Sequence, residues 1–189
     1  MPCITAYVDE AVPRTGANYL LACAVVVDDQ ADEIRARLVR AKLPVERKVH
    51  WHSRRPTERT SLIDGIAPLP VKFLLVVRPE QFAEPPERSR RKCIERLVWL
   101  VDQNHGVEDM IFEARETQQN ENDRRLLGAL RARRIVSAKL RMRHVPGPRE
   151  PLLWLPDVIA GAYSSLLQGD REYFAPLEDA IKVVEADQK

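Results

Sequence analysis

The chain has no uncharged apolar run approaching the roughly 20 residues that a helix needs to cross a bilayer, so no membrane association is expected. Its opening, MPCITAYVDE, lacks the basic stretch and apolar core of a secretion signal, and a cytoplasmic location is the expectation. Cysteine is scarce. Cys3, Cys23 and Cys93 are odd in number, widely spaced and without a CxxC pair, which argues against a disulfide framework or a zinc knuckle and for buried free thiols. Internal repeats, low-complexity linkers and a second-domain boundary are also missing, so residues 1–189 read as one domain.

Net charge is small as well, since 30 Lys and Arg face 28 Asp and Glu, but the average conceals a division along the chain. Arg124 to Arg149 holds nine bases (Arg124, Arg125, Arg131, Arg133, Arg134, Lys139, Arg141, Arg143 and Arg149) and no acid, whereas residues 150–189 carry eight acids and three bases. That asymmetry suits a local basic surface for a polyanion rather than a globally basic protein. With 44% apolar residues the chain can build a sizeable core.

Two apolar, β-rich runs, residues 3–9 and 19–28, flank the turn-prone segment 13–18 and read as an antiparallel pair. Helical periodicity follows over 31–43, with Ile34, Leu38 and Val39 as the stripe, over 57–66, and over 87–104, where Cys93, Leu97, Leu100 and Val101 share a face that Gly106 closes. A further helix is expected over 122–134, capped by Asn120 or Asn122, then an apolar helix over 151–167 and a C-terminal helix over 173–186. Strands are expected at 48–52, 71–77, 109–114 and 137–145. A hairpin followed by strands alternating with helices defines an α/β fold, a mixed sheet with helices on both faces.

Asp9 and Glu10 end the first strand just before a turn. Adjacent acids there fit either a solvated turn or a carboxylate site, and the apolar Ala6-Tyr7-Val8 before them favours a central strand, beyond whose carboxyl end ligands gather. Asp157 interrupts the otherwise apolar Leu152–Ala162, where an unpaired acid is costly to bury. Pro156 suits a first helical turn, so Asp157 can also be read as complementing the helix dipole. Ala160, Gly161 and Ser164 follow it at i+3, i+4 and i+7, a small-residue stripe that allows close approach to a sheet. Glu113 ends the apolar Met110-Ile111-Phe112 and by itself reads as an exposed strand-end acid. Together, Asp9, Glu113 and Asp157 supply the oxygen donors that a hard divalent cation such as magnesium requires. Two such ions about 3.5–4 Å apart can activate a water and stabilise the leaving oxygen of a phosphodiester.

In a strand over 48–52, Lys48, His50 and His52 point to one side and Val49 and Trp51 to the other. His-x-His can bind zinc, but no third nitrogen or sulfur ligand lies nearby, so a polar edge or a support for the carboxylates is preferred. Over 137–145, Lys139, Arg141 and Arg143 share a face at a spacing of about 6.8 Å, which suits successive phosphates. A charged edge strand guarded against aggregation is the competing explanation.

The ordered set Tyr7-Val8-Asp9-Glu10, Tyr19-Leu20-Leu21-Ala22, Lys48-Val49-His50-Trp51-His52 and Leu153–Ala162 resembles the bacterial domain of unknown function 3800 family across nearly the whole chain. The resemblance implies a ribonuclease H-like fold and an acidic metal site on Asp9, Glu10 and Asp157, with Glu113-Ala114-Arg115 at the strand-end acid position. Ala11-Val12 stands where the family usually has Ser-Gly, and Ser53-Arg54-Arg55 follows the His-Trp element where an acid is common. The expected function is a magnesium- or manganese-dependent nuclease acting on RNA or DNA. Asp9, Glu113 and Asp157 would hold the metal, and Glu10 would be a further ligand or water-orienting base. Lys48, His50, His52 and Arg115 would touch the phosphate or back the carboxylates, and Lys139, Arg141 and Arg143 would bind the nucleic-acid backbone. The alternatives are a non-catalytic nucleic-acid-binding module and a protein-interaction component with structural acids.

Overall fold

The computed structural model describes residues 3–11, 18–79 and 84–187. Most of the turn expected over 13–18 lies outside them. Six strands form one sheet: β1 (Ile4–Ala11), β2 (Tyr19–Val27), β3 (Lys72–Arg78), β4 (Asp109–Glu113), β5 (Arg141–Val145) and β6 (Ile181–Glu185). Their spatial order is β5-β4-β1-β2-β3-β6. β1 and β3 flank β2 antiparallel, while β4 runs parallel to β1, β5 parallel to β4 and β6 parallel to β3. The sheet is thus mixed, as expected.

β2, YLLACAVVV, is buried at every position but its last, because both faces of this central strand are covered. One face packs on α1 (Asp28–Ala41), α2 (Pro56–Ile66) and α5 (Trp154–Leu167), in a core that includes Tyr7, Ile34, Ile63, Ile111 and Val158. The other packs on α3 (Pro86–His105) and α4 (Thr117–Ala132) through Ala6, Val8, Phe112, Leu97 and Leu127. Gly106 stops α3 at φ 61°, a left-handed conformation that glycine adopts without strain.

Five sequence expectations are corrected here. Residues 48–52 make no strand: Trp51–Ser53 is a turn of 3-10 helix, and the Trp51 N–H donates to Asp157 at 2.8 Å instead of to a neighbouring strand. The alternation of Lys48, His50 and His52 therefore does not govern their directions. The strand expected over 137–145 is confined to β5, and Lys139 lies in the turn before it. α4 begins at Thr117, five residues early, with Gln119 accepting from the Glu116 N–H; Asn120 is inside the helix and bonds both the N–H and the carbonyl of Arg115. The segment 173–186 is no α-helix but a 3-10 stretch, Ala175–Ala180, followed by β6, because β-branched Ile181, Val183 and Val184 complete the free edge of β3. Of the three free cysteines, Cys23 and Cys93 are buried, but Cys3, just before β1, is exposed.

Candidate active site

The register sets the first two carboxylates side by side. β1 and β4 are adjacent and parallel, and their pairing runs to Val8 opposite Phe112, so Asp9 and Glu113 are the next residues on the two strands, with β1 continuing beside β2 to Ala11. Tyr7 and Ile111 belong to the core beneath α5, and Asp9 and Glu113, two residues further on, share that face. α5 lies across β1 and β2 and carries Asp157 in its first turn. The stripe after Asp157 is divided: Ala160 packs on Leu20, Ala22 and Leu75 of the sheet, while Gly161 backs onto the Trp51 ring.

These elements enclose a cleft of about 270 Å³, lined by Asp9, Glu10, Lys48, His50, Arg90, Glu113, Arg115 and Asp157 among others. Lys48 Nζ donates to both Glu113 oxygens, at 2.5 and 2.7 Å. Asp157 Oδ2 accepts from the Trp51 N–H, and its Oδ1 stands 3.9 Å from His50 Nδ1. Asp9 Oδ1 accepts from the Glu10 N–H at 2.8 Å. Burial pushes the Asp9 carboxyl well above the usual carboxylate range, and the nearby Glu113 and Asp157 charges push it further against the opposing pull of Lys48. Glu113 is the charged neighbour that raises Asp9 most, and two like charges in one cleft favour a proton or a cation between them.

Carboxylate oxygens are the donor type that a hard divalent ion takes. As they stand, the described residues contain no group of three or more His, Cys, Asp or Glu side chains arranged to hold a metal. The Lys48 ammonium takes both oxygens of Glu113, and the Trp51 amide takes one of Asp157.

Glu10 faces the opposite side of the sheet from Asp9, although it too borders the cleft. Its carboxylate accepts from the Tyr19 hydroxyl and is ion-paired with Arg90. Arg90 also grips Asp123, at 3.2 and 2.7 Å, and Asp123 meets His144 Nε2 at 3.1 Å. Burial alone would raise the Asp123 carboxyl, but the hydrogen bonds from His144 and Arg90 hold it below its ordinary value. Arg115 lines the cleft and pairs with Glu87 at 2.6 Å and with Asp123 at 3.6 Å. His52 is exposed and is not part of the cleft wall.

This network escaped the sequence reading, yet a signal existed. Arg90 precedes Cys93, Ile94 and Leu97, and Asp123 precedes Leu126, Leu127 and Leu130, each at i+3, i+4 and i+7. A lone charge at the head of an apolar stripe points inward with it and needs a buried partner.

The basic block is regrouped by the fold. Arg124 and Arg131 of α4 join Arg141 and Arg143 of β5 around a cleft of about 420 Å³ that contains one acid, Asp109. Lys139 is exposed outside it. Arg141 pairs with Asp109 at 2.7 Å, Arg124 pairs with Glu121, and Arg131 donates to the Leu140 carbonyl. Arg141 and Arg143 share the sheet face of Asp9, but Arg141 lies opposite Asp109, four residues or about 13 Å back along the strands from Glu113.

A solved structure of the PCNA:RNase HII complex from Archaeoglobus fulgidus contains a chain similar to this one, with a TM-score of 0.55 and 14% sequence identity over 93% of this chain and 77% of that one. That similarity and the mixed sheet define a ribonuclease H-like fold. No family model and no curated protein matches the sequence. Among the described residues, no helix is long and apolar enough to cross a membrane.

Proposed function

We propose that this chain belongs with the domain of unknown function 3800 family and is a nuclease that hydrolyses nucleic-acid phosphodiesters with magnesium or manganese. The observation that carries the reading is the convergence of Asp9, Glu113 and Asp157 in one cleft at the carboxyl ends of two parallel strands, with Asp9 held above the ordinary carboxylate range by burial and by its neighbours. Ligand sites of α/β sheets gather at such strand ends. The metal would be held on these carboxylates, where it would activate a water and balance charge on the scissile phosphate. Within the chain, Lys48 orients Glu113, the Trp51 amide fixes Asp157, and the Glu10 amide fixes Asp9. His50 stands exposed beside Asp157, positioned to contact an entering phosphate. Glu10, committed to Arg90 and Tyr19, stiffens the end of β1 rather than orienting water.

The test is incubation of the purified protein with labelled single-stranded and duplex RNA and DNA, with manganese, magnesium or EDTA. Cleavage that needs the ion and disappears in Asp9→Asn is expected. Cleavage equal in both proteins, or in EDTA, refutes the reading. The arginine cleft beside β5 favours a second reading, a nucleic-acid-binding module without catalysis, since that cleft works without the carboxylates. Salt-sensitive binding with no cleavage under any ion would select it.

A further inference from the structure

Lys48, Arg90 and Arg115 all border the carboxylate cleft, but two of them are already committed. Lys48 donates to both oxygens of Glu113, and Arg90, 3% exposed, is closed between Glu10 and Asp123. Arg115 differs. Its backbone is clamped, since Asn120 of α4 accepts from its N–H at 2.9 Å and donates to its carbonyl at 3.1 Å. Its guanidinium gives its two terminal nitrogens to Glu87, at 2.6 and 3.4 Å, and stands 3.7 Å from Glu10 and 3.6 Å from Asp123. The buried Nε has no hydrogen-bond partner among the described residues, so this guanidinium is only partly satisfied.

Charge counting sets Glu87 apart from the other two acids. Arg90 and Arg115 balance Glu10 and Asp123, which leaves Glu87 as one negative charge more than the buried cluster needs. Its side chain is 52% exposed, against 25% for Glu10 and 5% for Asp123. Glu87 lies in the first turn of α3 and borders a groove of about 390 Å³ between α3 and α4, where it is the one exposed acid among the described lining residues. The same wall carries Arg91 and Arg125. Each pairs with an acid of its own helix, Glu95 at 3.1 Å and Glu121 at 3.5 Å, exposed contacts that contribute little and yield to a polyanion. Arg90 borders both the groove and the cleft, so the Arg115–Glu87 pair stands at their junction. A phosphodiester offers a guanidinium the same forked pair of oxygens that Glu87 does.

We infer that Arg115 grips a backbone phosphate where the groove meets the cleft, and that Glu87 is its stand-in: a carboxylate that fills the phosphate's place in the free protein and swings out to solvent when nucleic acid binds. The inference rests on the nucleic-acid reading above and specifies where the strand is held. Binding then requires the Arg115–Glu87 pair to break, so the wild type binds less tightly than a protein without the Glu87 charge.

Fluorescence anisotropy with labelled single-stranded and duplex RNA and DNA, in EDTA, tests it by binding alone. Glu33→Gln, on α1 across the sheet, removes the same charge from another exposed Glu–Arg pair and serves as the reference. Glu87→Gln is expected to bind about three- to fivefold more tightly than the wild type, the factor that one exposed ion pair is worth, with Glu33→Gln close to the wild type. Arg115→Gln is expected to bind more weakly, with the slope of log affinity against log salt shallower by about one unit, and Glu87→Gln/Arg115→Gln to match Arg115→Gln. A gain in Glu87→Gln no larger than in Glu33→Gln, a gain that survives in the double variant, or an unchanged affinity in Arg115→Gln overturns the inference and leaves the nucleic-acid reading standing. No binding by any of the proteins at low salt overturns the nucleic-acid reading itself, and the inference with it. Both Glu variants alter exposed side chains and keep the fold, so their comparison decides the inference even where Arg115→Gln unfolds.

Discussion

The indole of Trp51 rests against the backbone of Gly161 so closely that a methyl group added at 161 would collide with the ring. Tyr173 meets the same indole edge-on at 5.1 Å and Arg59 lies over it at 5.0 Å, so the ring has no free side into which to retreat. This contact ties the segment bearing Lys48 and His50 to the helix bearing Asp157.

Gly161→Ala is accordingly expected to destabilise the protein by about 1–3 kcal/mol, the usual cost of overpacking a core. Chemical denaturation followed by circular dichroism measures it. An unchanged midpoint would mean that α5 shifts freely, and that the Trp51–Asp157 bond does not depend on this contact.

Gly147→Ala should act on the site rather than on the core. The new methyl would press on Glu113 Oε1 and Lys48 Cδ, so the pair must separate or the 147–149 turn must move. A loss of cleavage of at least about tenfold, equivalent to about 1.4 kcal/mol of barrier, is expected alongside near-wild-type unfolding. Equal losses of activity and stability would point to a merely structural role for the pair.

Asp9 makes the pH dependence of the metal-free protein diagnostic. Its carboxyl is raised, chiefly by burial and then by Glu113, so the folded state binds this proton more tightly than the unfolded state does. The resulting stability is fully present below the ordinary aspartate value of about 3.9 and is lost as pH rises through the raised one. Asp9→Asn, with no proton to lose, should lack this decline, and in EDTA at neutral pH it should be as stable as the wild type or more so. Thermal unfolding of both proteins across the pH range compares them, and a marked loss of stability in Asp9→Asn would indicate a structural aspartate instead.

Arg90→Met would leave Glu10 and Asp123 with the longer Arg115 contacts, at 3.7 and 3.6 Å, in place of their closest guanidinium, and a loss of about 3–5 kcal/mol is expected for breaking so buried a pair. The pH response runs opposite to that of Asp9. Asp123 is held low, so its contribution is present above its ordinary value and lost as pH falls through the lowered one. Acid denaturation of the variant should therefore begin from a lower stability and show less of this fall.

Neutralising Arg124, Arg141 and Arg143 together to glutamine should weaken nucleic-acid binding and make the slope of log affinity against log salt shallower by about two to three units if each meets a phosphate. Lys139→Gln, outside the cleft, should leave the slope unchanged. A slope that responds to Lys139 alone would relocate the binding surface.

Periodicity and composition were sufficient for the central hairpin, for α3 and for the acids at the ends of β1 and β4, because these features depend on runs of apolar residues and their stopping points. They were insufficient where tertiary contacts decide. Residues 48–52 alternate as a strand would, but the Trp51 amide is taken by a carboxylate 106 residues away. The segment after Tyr173 has helical composition, yet an open β3 edge recruits its last turn as a strand. Asp9 and Glu10, adjacent in sequence, enter different networks on opposite faces, as the two-residue period of a strand dictates.

The pairing of β6 with β3 also bears on how the protein is made. The two partners lie about a hundred residues apart, so on the ribosome the apolar strand Lys72–Arg78 is synthesised long before the segment that closes its edge. During that interval Phe73 through Val77 present unpaired backbone, the kind of surface on which other nascent chains can template. The slow, non-local closure of this edge is expected to be the late step of folding and the point at which chaperone assistance matters most.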